Sequence, residues 1–179
     1  MENKNEIKRG EIQVYTGKGK GKTTAALGLA LRACGQGWRV LMLSFMKGDP
    51  NCGEVKISPK IPHFRLIQSG LPTMVKKERP SPEDIRMAQE GFQMAKKAIM
   101  QKEYDMIILD EINMAVNYNL ISLDDILDLM DKKPTEMELV LTGRSAHPEI
   151  VKRANLVSEI LEIKHYYTKG INARQGIEY

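Results

Sequence analysis

Short apolar runs alternate with longer stretches of three-and-four spacing along most of this chain. Ile12-Gln13-Val14-Tyr15-Thr16 is rich in β-branched and aromatic residues and gives way to glycines, which predicts a strand. From Lys22 a helix is expected through Ala25, Ala26, Leu27, Leu29, Ala30 and Leu31, with Gly35 as its stop. Val40-Leu41-Met42-Leu43-Ser44-Phe45 is nearly all apolar, as a parallel strand buried on both faces is. Strand, helix and strand in succession form a βαβ unit, whose crossover is right-handed.

The segment 47–82 is the least regular, broken by prolines and glycines, with one short strand expected at 64–68 and the remainder loop. Ser81-Pro82-Glu83-Asp84 then opens a helix: a serine cap, proline in the first turn and acids behind it. Ile85, Ala88, Phe92, Ala95 and Ile99 mark its buried face. The run 106–111 reads as a buried strand ending in two carboxylates, Asp110 and Glu111. A short helix is expected over 122–132, capped by Ser122 with Asp125 three residues on. Leu139 to Thr142 is another strand, His147-Pro148 opens a last helix, and 156–163 supplies a final strand. Trp38 reads as packing at the start of the second strand. The pattern is α/β, a mostly parallel sheet with helices on both faces.

Composition narrows the function classes. Hydrophobic residues at 42% and charged residues at 28% are the balance of a globular domain, and the 179 residues fit one domain. No run reaches the roughly 18 apolar residues that would span a bilayer. Residues 1–10 are polar, unlike a signal peptide, so a cytoplasmic protein without membrane contact is expected. Cys34 and Cys52 belong to no metal-ligand spacing, and His63, His147 and His165 add none. The net charge of +4 is uneven, because 102–138 is strongly acidic. The basic residues near the N-terminus sit in a glycine-rich loop, where polyphosphate accounts for them better than nucleic acid does.

That loop carries the chemistry. In Gly17-Lys18-Gly19-Lys20-Gly21-Lys22-Thr23-Thr24, glycines let successive backbone N–H groups converge on phosphate oxygens. The following helix adds its positive end. Lys22 would neutralise phosphate charge, and the Thr23 hydroxyl would ligate Mg²⁺. Read from Gly17 the loop is one residue shorter than the general phosphate-loop pattern. Asp110 and Glu111 could be helix-capping acids. Beside a phosphate loop the stronger reading is that they help to hold magnesium, directly or through water. The residues alone define an ATP or GTP site with magnesium and leave the reaction open.

The stretch from Tyr15 to Gly28 resembles the shortened phosphate loop of the ATP-dependent corrinoid adenosyltransferases. Phe45-Met46-Lys47-Gly48, Leu109-Asp110-Glu111-Ile112-Asn113, Leu141-Thr142-Gly143-Arg144 and the ending from Lys164-His165 to Gly176-Ile177-Glu178 are similar to that family too. The resemblance runs in order from about Gly10 to Tyr179. It implies a single three-layer P-loop domain of RecA-like kind over 1–179, with the order of 1–9 left open. It also implies transfer of the 5′-deoxyadenosyl group of ATP to the cobalt(I) of a reduced corrinoid, with release of triphosphate, in adenosylcobalamin biosynthesis or salvage. ATP would lie reversed in the loop relative to ordinary P-loop enzymes. Lys22, Thr23 and Glu111 would be the catalytic set, and Arg144 either a further phosphate contact or a surface arginine.

Where better-known members carry a glycine-phenylalanine-threonine-tryptophan stretch, this chain has Gly70-Leu71-Pro72-Thr73-Met74. Gly70, Leu71 and Met74 are therefore either apolar fillers of a corrinoid pocket or plain loop anchors. His165 reads as structural rather than as a cobalt ligand. The resemblance further implies a homodimer, and a flavin-dependent reductase or flavodoxin as reductant. Two other readings stay open: a P-loop kinase, with Glu111 accepting a hydroxyl proton, and a non-enzymatic, nucleotide-gated RecA-like binding module.

Overall fold

The computed structural model describes residues 9–179; of the expectation for 1–9, all but Arg9 lies outside the described residues. Among the described residues six strands form one sheet in the order β3-β2-β4-β5-β1-β6. They are β1 (Ile12–Thr16), β2 (Val40–Phe45), β3 (Phe64–Ser69), β4 (Met106–Asp110), β5 (Glu138–Thr142) and β6 (Leu156–Glu159). Every pairing is parallel, so each crossover carries helix or loop over a sheet face.

The helices are α1 (Lys22–Gly35), α2 (Gly53–Ile57), α3 (Pro82–Gln101), α4 (Ile112–Asn117), α5 (Leu123–Asp131) and α6 (Pro148–Arg153). Alternation along the strands assigns them to layers. Val40, Met42, Met106, Ile108 and Val140 pack with Ala26, Ala30 and Ala33 of α1, and Trp38 sits half-buried against this group. Their neighbours Leu41, Leu43, Ile107, Leu109, Leu139 and Leu141 face the other way. They meet Phe92 and Ile99 of α3, Ile112 of α4, Ile126 of α5 and Ile150 of α6. The result is the three-layer α/β arrangement expected, with both sheet faces covered.

The predicted caps are present. Ser81 and Asp84 form a reciprocal capping box at the start of α3, and the Ser122 hydroxyl accepts from Asp125 N–H at 3.1 Å. At the end of α1 the assignment shifts: Gly35 is the last helical residue, and Gly37 takes the left-handed turn at φ 80°. Two short helices and a 3₁₀ turn go beyond the expected pattern. Both α2 and a 3₁₀ turn at Ser58–Lys60 lie inside the segment expected to be loop. The other, α4, follows Glu111 directly, and β6 stops at Glu159, short of the expected 163.

Candidate active site

A parallel sheet delivers the residue after each strand to one edge, and this chain places its chemistry there. The phosphate loop follows β1, Lys47 follows β2, Glu111 follows β4, and Gly143 and Arg144 follow β5. Since β5 lies between β1 and β4, the acidic strand stands one strand removed from the loop. Asp110, at the end of β4, nevertheless reaches the loop helix: Thr23 Oγ1 donates to its Oδ1 at 2.9 Å.

Asp110 is fully buried and has three partners. Thr142 Oγ1 donates to Oδ1 at 2.7 Å, and Lys47 Nζ donates to Oδ2 at 2.6 Å and to Thr23 Oγ1 at 3.1 Å. A carboxylate out of water is tolerable only when paired and hydrogen-bonded in this way. Burial alone would lower the Lys47 ammonium's pKa. The Asp110 charge and hydrogen bond, with Glu111 and Glu54, outweigh that, so its pKa is raised. Neither Lys47 nor Thr142 was singled out as a site residue from the sequence. The only signal was the similarity of Phe45-Met46-Lys47-Gly48 and Leu141-Thr142-Gly143-Arg144 to the family's own stretches.

Had β4 continued through Glu111, its two carboxylates would have pointed to opposite faces. Instead Glu111 takes a left-handed conformation, φ 60° and ψ 16°, that breaks the alternation and starts α4. Its N–H donates to Thr142 Oγ1 at 3.0 Å, and its side chain lines the same cleft as Lys22, Thr23, Lys47 and Arg144. Burial, then the Asp110 charge, raises the Glu111 pKa against the opposing pull of Lys47, Lys22 and Arg144. Arg144 is exposed on the rim, after Gly143 at φ 128°.

Within the loop the three lysines part company. Lys22 is buried and donates to the carbonyls of Gly17 and Gly19 at 2.9 and 2.7 Å; burial lowers its pKa. Lys20 turns to the C-terminal segment, donating to Ile177 O at 3.0 Å, and Lys18 is exposed. Thr24 is exposed on the first turn of α1 and lines the cleft. One loop amide is already engaged within the chain: Gly19 N–H donates to Ile160 O at 2.8 Å. Gly17 and Gly19 are glycines because the backbone just after β6 is so close. A Cβ on Gly17 would stand 2.4 Å from Ile160 O, and one on Gly19 2.6 Å from Leu161 O. A Cβ on Gly21 would meet only Ile160 Cδ1, at an ordinary 4.0 Å, and this glycine serves through its φ of 121° as the residue that turns into α1.

The cleft has a volume of about 750 Å³. One wall carries the loop and the charged residues. The other is apolar, from Leu27 and Leu31 of α1 to Ile57, Ile61 and Phe64, and the C-terminal residues Gly176 to Tyr179 close one side. His165 also lines it, its Nδ1 accepting from Tyr167 N–H at 3.1 Å. Gly70, Leu71 and Met74 lie outside this cleft. Gly70 is buried against the backbone of Met46 and Lys47, Leu71 is half-buried, and Met74 is 95% exposed. Thr23, Asp110 and Glu111 offer hard oxygen donors of the kind magnesium takes, one or two carboxylates completed by phosphate oxygens. The Lys47 ammonium already lies among them, so the position favours positive charge.

Fold and site together define a P-loop nucleotide-binding domain of the three-layer α/β class. The flagellar accessory protein FlaH from Methanocaldococcus jannaschii has a similar fold, with a TM-score of 0.58 and 15% identity over 86% of this chain and 72% of that one. The family model described as ATP:corrinoid adenosyltransferase BtuR/CobO/CobP matches residues 8–179, and the chain belongs to that family. It is 36% identical over 172 residues to the corrinoid adenosyltransferase of Escherichia coli K12, covering 96% of this chain and 86% of the relative. It is 35% identical over 172 residues to the corrinoid adenosyltransferase CobA of Salmonella typhimurium, with the same coverage. These comparisons give no support to the kinase or the binding-module reading.

Proposed function

We propose that this cleft binds ATP with magnesium and presents the ribose C5′ to the cobalt(I) of a reduced corrinoid. The cobalt electron pair forms the Co–C5′ bond while the C5′–O bond breaks, and that bond's electrons leave on triphosphate. Cobalt(I) becomes cobalt(III), so no protein nucleophile is needed.

The protein's task is orientation and charge stabilisation. The loop amides and Lys22 hold the leaving triphosphate. Magnesium, when bound, neutralises part of its charge, and Thr23, Asp110 and Glu111 are the residues that would hold it. In this reading Arg144, exposed on the rim of the cleft, makes a further phosphate contact. The apolar wall from Leu27 to Phe64 keeps water from the reacting carbon. The observation that carries the reading is the convergence of Lys22, Thr23, Glu111 and Arg144 on one cleft with an apolar far side, with the buried Asp110 bonded to Thr23 behind it.

The loop that starts at Gly70 is the proposed corrinoid contact, because it begins against the Lys47 backbone and holds Met74 out at 95% exposure. Met74→Ala should raise the KM for corrinoid and leave ATP affinity unchanged; an unchanged KM removes this loop from the site. A second copy of this chain is the proposed cover for the outer side of edge strand β6, which pairs with no strand among the described residues and where Leu156 and Val157 are 45% and 41% exposed and Leu161 follows at 62%. Light scattering on the purified protein distinguishes dimer from monomer. A cytoplasmic enzyme served by a flavin-dependent reductase or flavodoxin completes the proposal; among the described residues no helix is long and apolar enough to cross a membrane.

The deciding experiment is anaerobic incubation with ATP, magnesium and chemically reduced cob(I)alamin or cob(I)yrinic acid a,c-diamide. Loss of the cobalt(I) absorbance, a photolabile alkyl-cobalt product and equimolar triphosphate are expected. ADP or single phosphate as the product would overturn the reading.

A further inference from the structure

Lys47 has a placement that ordinary loop packing does not require. The residue before it, Met46, is left-handed at φ 59°, a conformation that costs a side-chain-bearing residue about 1–2 kcal/mol. The turn that holds it is pressed onto the end of β3 so closely that only glycine fits. A Cβ on Gly70 would lie 2.5 Å from Lys47 N, and a Cβ on Gly48 would lie 2.1 Å from Gly70 O. Strain and two glycine contacts together aim one ammonium at 2.6 Å from Asp110 Oδ2 and 3.1 Å from Thr23 Oγ1. Asp110 is fully buried, and these are two of the oxygen donors assigned above to magnesium.

We propose that Lys47 is the built-in counter-cation of the magnesium position: without nucleotide its ammonium neutralises Asp110 and denies the position to a free divalent ion, and with the phosphate chain present it turns to phosphate oxygens and the metal enters with ATP. This rests on the reading of the cleft as a magnesium–ATP site and adds an order to its loading. One positive charge satisfies Asp110 at a time. Two cations competing for one buried carboxylate repel each other strongly at this separation, so the lysine must leave the carboxylate as the divalent ion arrives. The polyphosphate supplies the negative charge that makes such a move favourable, and Lys47 lines the same cleft as Lys22 and Arg144. The arrangement also explains Gly70 and Gly48 without reference to the corrinoid: they hold the turn that carries the lysine.

The test is Mn²⁺ retained with the protein on ultrafiltration, with and without ATP and without any corrinoid, against a control holding Mn²⁺ and ATP alone. The wild-type protein should take up Mn²⁺ only when ATP is present. Lys47→Met keeps the length of the side chain and removes its charge; it should bind Mn²⁺ without nucleotide at least about tenfold more tightly than wild type. Lys47→Arg should keep the exclusion. The double variant Lys47→Met with Asp110→Asn should lose the new uptake, which ties it to the carboxylate. A merely structural lysine would lower the melting temperature and leave nucleotide-free Mn²⁺ affinity where it was, and that result overturns the proposal. So does wild-type uptake of Mn²⁺ without ATP. If Lys47→Met fails to fold, Lys47→Gln carries the same comparison. A wild type that takes up no Mn²⁺ even with ATP refutes the magnesium–ATP reading itself, a distinct outcome.

Discussion

Thr142→Val removes one hydroxyl from the centre of the site and changes almost nothing else in shape. That hydroxyl donates to Asp110 Oδ1 at 2.7 Å and accepts from Glu111 N–H at 3.0 Å, and the residue is fully buried. A hydrogen bond to a buried charge contributes about 1.5–3 kcal/mol, and stranding a partly buried N–H costs about 1 kcal/mol more. The variant should therefore lose about 3 kcal/mol, or about 6–12 °C in melting temperature for a chain of this size. Thr142→Ser keeps the hydroxyl and loses only a buried methyl, a loss of about 1 kcal/mol. Calorimetry or fluorescence melting of the three proteins at neutral pH measures the difference. ATP affinity should follow the same order, because Glu111 loses the bond that steadies its left-handed turn. A valine variant within about 1 °C of wild type would refute the reasoning. So would a serine variant as damaged as the valine one, since packing and not hydrogen bonding would then be responsible.

Three further expectations concern the loop, the lysine turn and the C-terminal segment. Lys22→Ala deletes the ammonium held between Gly17 O and Gly19 O, and steady-state kinetics should show turnover reduced by about a hundredfold or more; a loss of less than about tenfold would remove Lys22 from the catalytic set. Gly70→Ala puts a Cβ 2.5 Å from Lys47 N and 2.6 Å from Met46 C, both backbone atoms that must shift. Overpacking of this kind costs about 1–3 kcal/mol, so both the melting temperature and Mn²⁺–ATP affinity should fall, and an unchanged pair of values would contradict the close approach. The Glu178 carboxylate accepts from Tyr166 and Arg174, which holds its pKa down at about 2. A depressed acid contributes order above its unfolded pKa, and that order is lost as pH falls through the folded value. Protection of the C-terminal segment against carboxypeptidase or hydrogen exchange should therefore decline as pH drops from about 4.5 toward 2, a window set by the ordinary and shifted values. Glu178→Gln should show the loosened state already at neutral pH, and equal protection in both proteins would sink the assignment.

Local signals determined much of this protein. The strand at Ile12–Thr16, the glycine loop, the all-apolar Val40–Phe45 run and the Ser81 and Ser122 caps each depend on residues within one turn or strand. Such features can be read along a line. The proposed roles of Lys22, Thr23 and Asp110 come from signals of the same local kind: a glycine loop between strand and helix, and acids closing a buried strand. The short helix α4 escaped because its start depends on Glu111 turning left-handed, a conformation the apolar pattern opposes and Thr142 supports from 31 positions away.

The sequence by itself thus determined the class of fold, the phosphate loop and the family resemblance. Only the tertiary structure decided that β5 stands between the loop strand and the acidic strand, and that Lys47 meets Asp110 from 63 positions away. It alone placed Gly70 behind the lysine and Met74 outside the cleft. The physical reason is the same in each case. Strand order and the meeting of charged side chains are settled by which surfaces close on one another, and a parallel sheet brings together residues whose separation along the chain carries no trace of their contact.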